Sequence, residues 1–149
     1  MHVGILLKDS ARPVHTIPSN QTVDDAINLM TSKKVGALIV TENDQPVGIF
    51  AERDVLRCYQ KSRQALFSKI QLKDAMSDKL ITAKTDDDIG EVSATMIKAD
   101  IKHLPVIEGK NITALIALKD LINYQINSLT EELHQLKEYI VHLHEAGRD

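Results

Sequence analysis

At 149 residues, with 43% hydrophobic and 26% charged residues, the chain has the size and composition of one ordinary globular domain able to bury a core. A net charge of −3 with scattered Lys and Arg lacks the basic footprint of a nucleic-acid binder, and two Phe, three Tyr and no Trp leave few platforms for stacking bases. No apolar stretch approaches membrane-spanning length, and the start MHVGILLKDS has no charged leader ahead of a long apolar region, so a cytoplasmic protein without a membrane partner is expected. The single cysteine, Cys58, cannot form an internal disulfide and reads as a small half-buried residue rather than a nucleophile.

In chain order, an extended segment near Val14 is broken at Pro18 and Ser19. Thr22 followed by Asp25 resembles a capping box, and Val23, Ala26, Ile27 and Met30 then share one helical face, with the helix ending near Lys33. The run Val35 to Val40 is too short for a buried helix and reads as a strand. A turn, Glu42 to Pro46, leads to a second strand, Val47 to Ala51, and Glu52 opens another helix. Residues 61–71 read as a polar linker, and LKDAMS at Leu72 to Ser77 leads into a second unit much as Leu6 to Ser10 leads into the first.

The second unit repeats these steps. Asp88 and Glu91 stand where Thr22 and Asp25 stood, and Ile89, Val92 and Met96 carry the apolar face. Leu104, Val106 and Glu108 match Leu38, Val40 and Glu42, and Asp120 matches Asp54. The stretch VGIFAERD, Val47 to Asp54, thus returns as TALIALKD, Thr113 to Asp120: a buried strand closed by Ala51 or Ala117, then an acid at a helix start. Such a repeat implies two halves that bury their apolar faces against each other about a pseudo-two-fold axis.

These residues resemble the cystathionine-β-synthase-type (CBS) family. The carriers are GIFAERD at Gly48 to Asp54, KHLPV at Lys102 to Val106, VGALIV at Val35 to Val40 and KDAMS at Lys73 to Ser77. The resemblance covers about residues 5–124 and is to the paired arrangement called a Bateman module, in its small stand-alone prokaryotic form. It implies an α/β (α+β) fold of tandem βαββα motifs over residues 1–124, motif 1 at about 5–60 and motif 2 at about 72–124. It also implies a regulatory role without catalysis or catalytic cofactor, with an adenosine nucleotide (AMP, ADP, ATP or NAD) in the clefts between motifs. The site residues implied are Ser19, Asn20, Val35, Gly36, Ala37, Ile49, Ala51, Arg53 and Asp54, with Lys84, Thr85, Lys102, His103, Ala117, Lys119 and Asp120 from the second half.

The chemistry of that set follows from residue types. A carboxylate at Asp54 or Asp120 can accept two hydrogen bonds, as two adjacent ribose hydroxyls require. The helix each acid opens favours a phosphate at its start, with Arg53 and Lys119 as neighbouring cations. Small Gly36 and Ala37 let a flat purine approach strand backbone. His103 is a candidate phosphate contact, mostly neutral at pH 7 unless a phosphate holds its proton. Each has a plainer reading: first-turn acids in a helix dipole, solvated surface cations, a strand-entry glycine, a structural histidine. Ala51 and Ala117 occupy a position where the family pattern has Ser or Thr. Losing one hydrogen bond of about 0.5–1.5 kcal/mol weakens a site by something like tenfold. Gly48 is replaced by Ala114 in the second copy, so the Asp54 cleft is expected to be the stronger.

After Asp120, Ile122, Ile126, Leu129, Leu133, Leu136, Ile140 and Leu143 alternate spacings of three and four, predicting one long amphipathic helix over 121–146 for oligomerisation or packing. Glu132 and Lys137 fall at g and e positions suited to a parallel homodimer, with packing across a module as the rival. His142 and His144 point to different sides of a helix, so no metal site is expected. The function expected is a nucleotide sensor acting on a downstream protein; the alternative is an interaction scaffold with empty clefts.

Overall fold

The structure is a computed structural model, and it describes residues 1–9, 12–62 and 66–147. Ser10 and residues 63–65 of the expected linker lie outside the described residues. The elements run α1 (Val3–Asp9), β1 (Thr16–Pro18), α2 (Val23–Lys33), β2 (Ala37–Glu42), β3 (Gln45–Ala51) and α3 (Glu52–Lys61). A short 3-10 turn, Phe67–Lys69, then leads to α4 (Leu72–Ala75), β4 (Ala83–Lys84), α5 (Ile89–Ala99), β5 (His103–Glu108), β6 (Asn111–Ala117) and α6 (Leu118–Ala146).

Local chemistry sets the boundaries of these elements. Thr22 and Asp25 form a complete capping box, each side chain accepting the other's backbone N–H at 3.1 Å. In the second half Asp88 caps α5 by accepting the Glu91 N–H at 3.0 Å, which holds the Asp88 carboxyl below its usual range. Both helices end on a left-handed residue, Lys34 or Asp100, whose N–H closes the last turn. The strand predicted from Val35 therefore begins later, at Ala37, because Val35 still donates to the Met30 carbonyl of α2. The turn narrows to Asn43 and Asp44, both with positive φ, the pairing a two-residue hairpin demands.

The mixed α/β fold is the one expected, and the repeat extends to register. Each half is a three-stranded sheet in which the first two strands are parallel and the last two antiparallel. Ala37 faces Ala51 as His103 faces Ala117, and Val40 faces Gly48 as Val106 faces Ala114, with a bulge at the next step in both. The sheets meet through a small shared core of Ala37, Ile39 and Leu115. The tail is continuous from Leu118, its first turns held by buried Leu121.

The lead-in helices are exchanged. Val3 and Leu6 of α1 join the core of the second sheet, with Ile89, Met96 and Leu104. Leu72 of α4 joins the core of the first, with Val23, Leu38 and Phe50. The chain-order units 5–60 and 72–124 therefore each lend a segment to the other. Backbone bonds fix the exchange: Gly4 donates to Thr85 at 2.8 Å, and Lys73 donates to Ser19 at 3.1 Å.

Gly48 marks the tightest crossing. A Cβ there would lie 2.6 Å from Met76 Sδ and 2.7 Å from the Ser77 carbonyl oxygen. The backbone contact leaves nothing free to give. Gly48→Ala is expected to lower stability by about 1–3 kcal/mol through overpacking, read as a lower denaturant midpoint at unchanged slope. An unshifted midpoint would show that the crossing is loose.

Candidate functional site

Two clefts flank the contact between the halves. The Asp54 cleft, about 800 Å³, is walled by the β3–α3 corner on one side and by Ser77 to Ile81 and Ala99 to His103 on the other. The second, about 870 Å³, lies on the Asp120 side and is walled by the β6–α6 corner, Arg12 and the Lys34–Gly36 joint. Both volumes fall in the range of small-molecule sites. Glu52, Leu56, Lys102 and His103 line both clefts and form the partition between them.

The corners are built alike. The Glu52 N–H donates to the Gly36 carbonyl at 3.2 Å, and the Leu118 N–H donates to the Lys102 carbonyl at 2.8 Å. Neither Ala51 nor Ala117 has a side-chain acceptor, so both helices start without a side-chain N-cap bond. The partial positive charge of each helix start therefore faces its cleft.

Asp54 is 3% exposed and already has partners. Its Oδ2 accepts the Ala51 N–H at 2.9 Å, half of a capping box. Its Oδ1 accepts the Ser77 hydroxyl at 3.0 Å and lies 3.5 Å from Arg57 Nη1. The hydroxyl that Ala51 lacks is thus supplied from across the cleft by Ser77. Asp120 is held differently: Arg12 donates to it through Nε at 2.9 Å and Nη2 at 3.3 Å, a two-point clamp that also raises the Arg12 pKa. Arg12 lines the Asp120-side cleft; Asp120 does not.

The other expected site residues divide. Ile49, Ala51, Arg53, Asp54, Lys102 and His103 come together in the Asp54 cleft. Val35, Gly36, Ala117 and Lys119 join Lys102 and His103 in the other. Arg53 spans its cleft and donates to both the carbonyl and the carboxylate of Asp100, so it enters as one half of an ion pair. Gly36 has its open face filled by protein, since a Cβ there would lie 3.1 Å from the His103 ring and 3.4 Å from Glu52 Oε1. Ala37, 2% exposed, is part of the core between the sheets and lines neither cleft. Ser19, Asn20, Lys84 and Thr85 also stand outside both clefts: the Ser19 and Thr85 carbonyls hold the exchanged helices, and Asn20 and Lys84 face solvent. Arg12, Arg57, Ser77 and Asp100, which make the side-chain contacts of the two acids and of Arg53, were not among the expected site residues. KDAMS carried Ser77 without indicating its contact.

The 111 residues in two blocks matched by a family profile agree with this geometry: a sequence profile of the CBS domain covers 7–61 and 72–127. The chain belongs to the CBS domain family. A mitochondrial CBS domain-containing protein of Arabidopsis thaliana, CBSX3, is 31% identical over 82% of this chain, which spans 61% of that relative's length. A solved protein with CBS domains from Burkholderia ambifaria is 32% identical, with a TM-score of 0.78 over 85% of this chain and 95% of its own. The CBS pair of protein MJ0100, solved in complex with 5′-methylthioadenosine and S-adenosyl-L-methionine, shares the fold at 19% identity and a TM-score of 0.73, covering 86% and 98%.

His103 sits in the partition of this CBS pair, half-buried and ringed by charge. Burial lowers its pKa most; Glu52 pulls it up, and Arg12, Lys119 and Lys102 push it down again. A folded-state pKa below the ordinary 6.5 means that the unfolded chain binds the proton more readily. Stability therefore falls as pH drops through 6.5 toward the folded value. Melting temperatures of the wild type and His103→Gln between pH 7.5 and 5.5 check this: the wild type is expected to lose more, and parallel curves would remove His103 as the cause.

Proposed function

We propose that the protein is a regulatory, non-catalytic module that binds an adenosine nucleotide of the AMP, ADP, ATP or NAD type in one or both clefts. The observation that carries this is the Asp54 cleft. It joins an acid with a hydroxyl partner, a helix start without a side-chain bond from its N-cap residue, and a cluster of cations in a cavity of about 800 Å³. Asp54 with Ser77 suits a ribose diol, because a hydroxyl ligand can replace the Ser77 hydrogen bond on the carboxylate at little net cost. The α3 start with Arg57, Lys79 and Lys102 suits a phosphate. A CBS pair of the same fold in complex with adenosine compounds makes that ligand class the first to test. Occupancy acts by population shift, since a ligand that pulls Arg57 or Ser77 from Asp54 favours a different spacing of the halves.

Of the two clefts, the Asp54 cleft is the stronger candidate. On the other side a ligand hydroxyl must displace the Arg12 clamp before reaching Asp120. Thermal shift with AMP, ADP, ATP, NAD and S-adenosylmethionine tests the reading. A ligand bound only to the folded state adds about 2.7 kcal/mol at a hundredfold excess over Kd. Asp54→Asn is expected to remove the shift, and Asp120→Asn to leave most of it. The absence of any shift at millimolar ligand rejects the proposal.

A second reading is favoured by the internal pairing of Asp120 with Arg12 and of Arg53 with Asp100: a scaffold with empty clefts whose tail helix engages the partner. Removing residues 129–149 separates the two, because a sensor keeps its thermal shift and a scaffold has none to keep while losing its assembly.

A further inference from the structure

The tail helix α6 leaves the body of the molecule with a continuous apolar stripe in water. Ile126, Leu129, Leu133, Leu136, Ile140 and Leu143 are between 53% and 64% exposed. The rival expected from sequence is packing across a module, its own or a partner's; within the single chain the stripe does not pack across its own module. Six large aliphatic side chains in one line on one helix exceed the scattered exposure of a monomer surface.

The stripe fits a second copy of itself in one orientation. Its spacing places Ile126, Leu133 and Ile140 at a, and Leu129, Leu136 and Leu143 at d. Ile at two of the three a positions, with Leu at every d, leans towards two parallel strands, because the β-branched side chain packs well in the parallel a layer. Charge agrees. Glu132 at g stands five residues before Lys137 at e, the interval that brings g of one parallel strand to e of the other, twice across a two-fold axis. An antiparallel pair in the same layers sets Glu132 near Tyr139 and Lys137 near Thr130, and both ionic contacts are lost. His134 Nε2 and Glu138 Oε1, 3.2 Å apart at an i,i+4 spacing, lie at b and f, clear of the seam. Glu131, Glu138 and Glu145 all occupy f, the most solvated line of such a pair.

We propose that α6 from Ile126 to Leu143 forms a parallel two-stranded coiled coil with a second copy of this chain. The seam is built from the stripe alone and forms without a nucleotide in the clefts. It sets the two modules side by side at the same end of the coil, with the β6–α6 corners nearest the axis.

Variants of the full chain with one added cysteine test it, the unsubstituted chain with its buried Cys58 serving as the control. Under mild oxidation Ile126→Cys and Leu143→Cys are each expected to give a covalent dimer on their own, while His142→Cys at c crosslinks far more slowly. Cross-linking only when the Ile126→Cys and Leu143→Cys proteins are mixed would show an antiparallel pair and overturn the proposal, as would a failure of both to crosslink. Because all six seam positions are exposed in the chain, these variants retain the fold. Sedimentation adds a second readout: Lys137→Glu is expected to weaken the dimer by about threefold to tenfold at low salt, and Glu132→Lys added to it to restore the affinity. A dissociation constant indifferent to both changes also rejects the parallel register.

Discussion

Ile49 and Ser77 exchange two backbone hydrogen bonds, each 2.9 Å, and tie the last strand of the first sheet to the segment entering the second. Leu115 and Arg12 exchange the corresponding pair at 3.3 Å on the other side. These crossings are where the exchanged lead-ins pass the sheet edges, and the clefts exist because the lead-ins cross there. Gly48 must lack a side chain so that Ser77 can approach, and the approach carries the Ser77 hydroxyl to Asp54. Helix packing on either side follows, since Leu72 and Val3 can reach the opposite cores only once the chain has crossed.

The same crossing, made with different residues, sets the two clefts apart. At the first, a neutral hydroxyl meets Asp54, with Arg57 at the longer distance of 3.5 Å. At the second, a guanidinium meets Asp120 with two hydrogen bonds. A hydroxyl is exchanged for a ligand hydroxyl with little change in electrostatic energy; a two-point ion pair is not, because its separation leaves two charges to be solvated again. One step in sequence register produces this difference, for the bridge to Leu115 is made by Arg12 where strict repetition of the Ile49 to Ser77 bridge would place residue 11. Burial is the main cause that lowers the His103 pKa, and Arg12 adds to it, so the clamp on one cleft is felt in the wall of both.

What could be read from the sequence was local. The Thr22–Asp25 box, the Asp88 cap, the hairpin over Asn43 and Asp44 and the helical tail depend on residues within one or two turns of each other, and their side-chain types announce them. The matched corners at Ala51 and Ala117 were legible because the chain states them twice. What could not be read was which distant residue completes each corner. Ser77 meets Asp54 across 23 positions, Arg53 meets Asp100 across 47 and Arg12 meets Asp120 across 108, and none leaves a mark in its own neighbourhood. Ser19 and Thr85, which the resemblance implied as site residues, receive Lys73 and Gly4 through their backbone carbonyls.

The helix that lines the Asp120-side cleft is also the helix that carries the exposed stripe. Leu118, Lys119 and Ile122 belong to the cleft wall, Leu121 is fully buried beneath them, and the same 29-residue helix runs on to Ala146 without a break. A helix of that length is about 43 Å long, and a tilt of about 10° at its first turn displaces the far end by about 7 Å. Leu121 resists such a tilt for as long as the second core stays packed. A ligand in the Asp120-side cleft that displaces Arg12 would act on the first turn of α6, next to that fulcrum. In a single chain the displacement would be spent in solvent. Were two tails joined along a seam, it would have to be matched by the partner's helix or resisted by the packed layers, and the apolar stripe would then convert occupancy of a cleft into a relation between two modules.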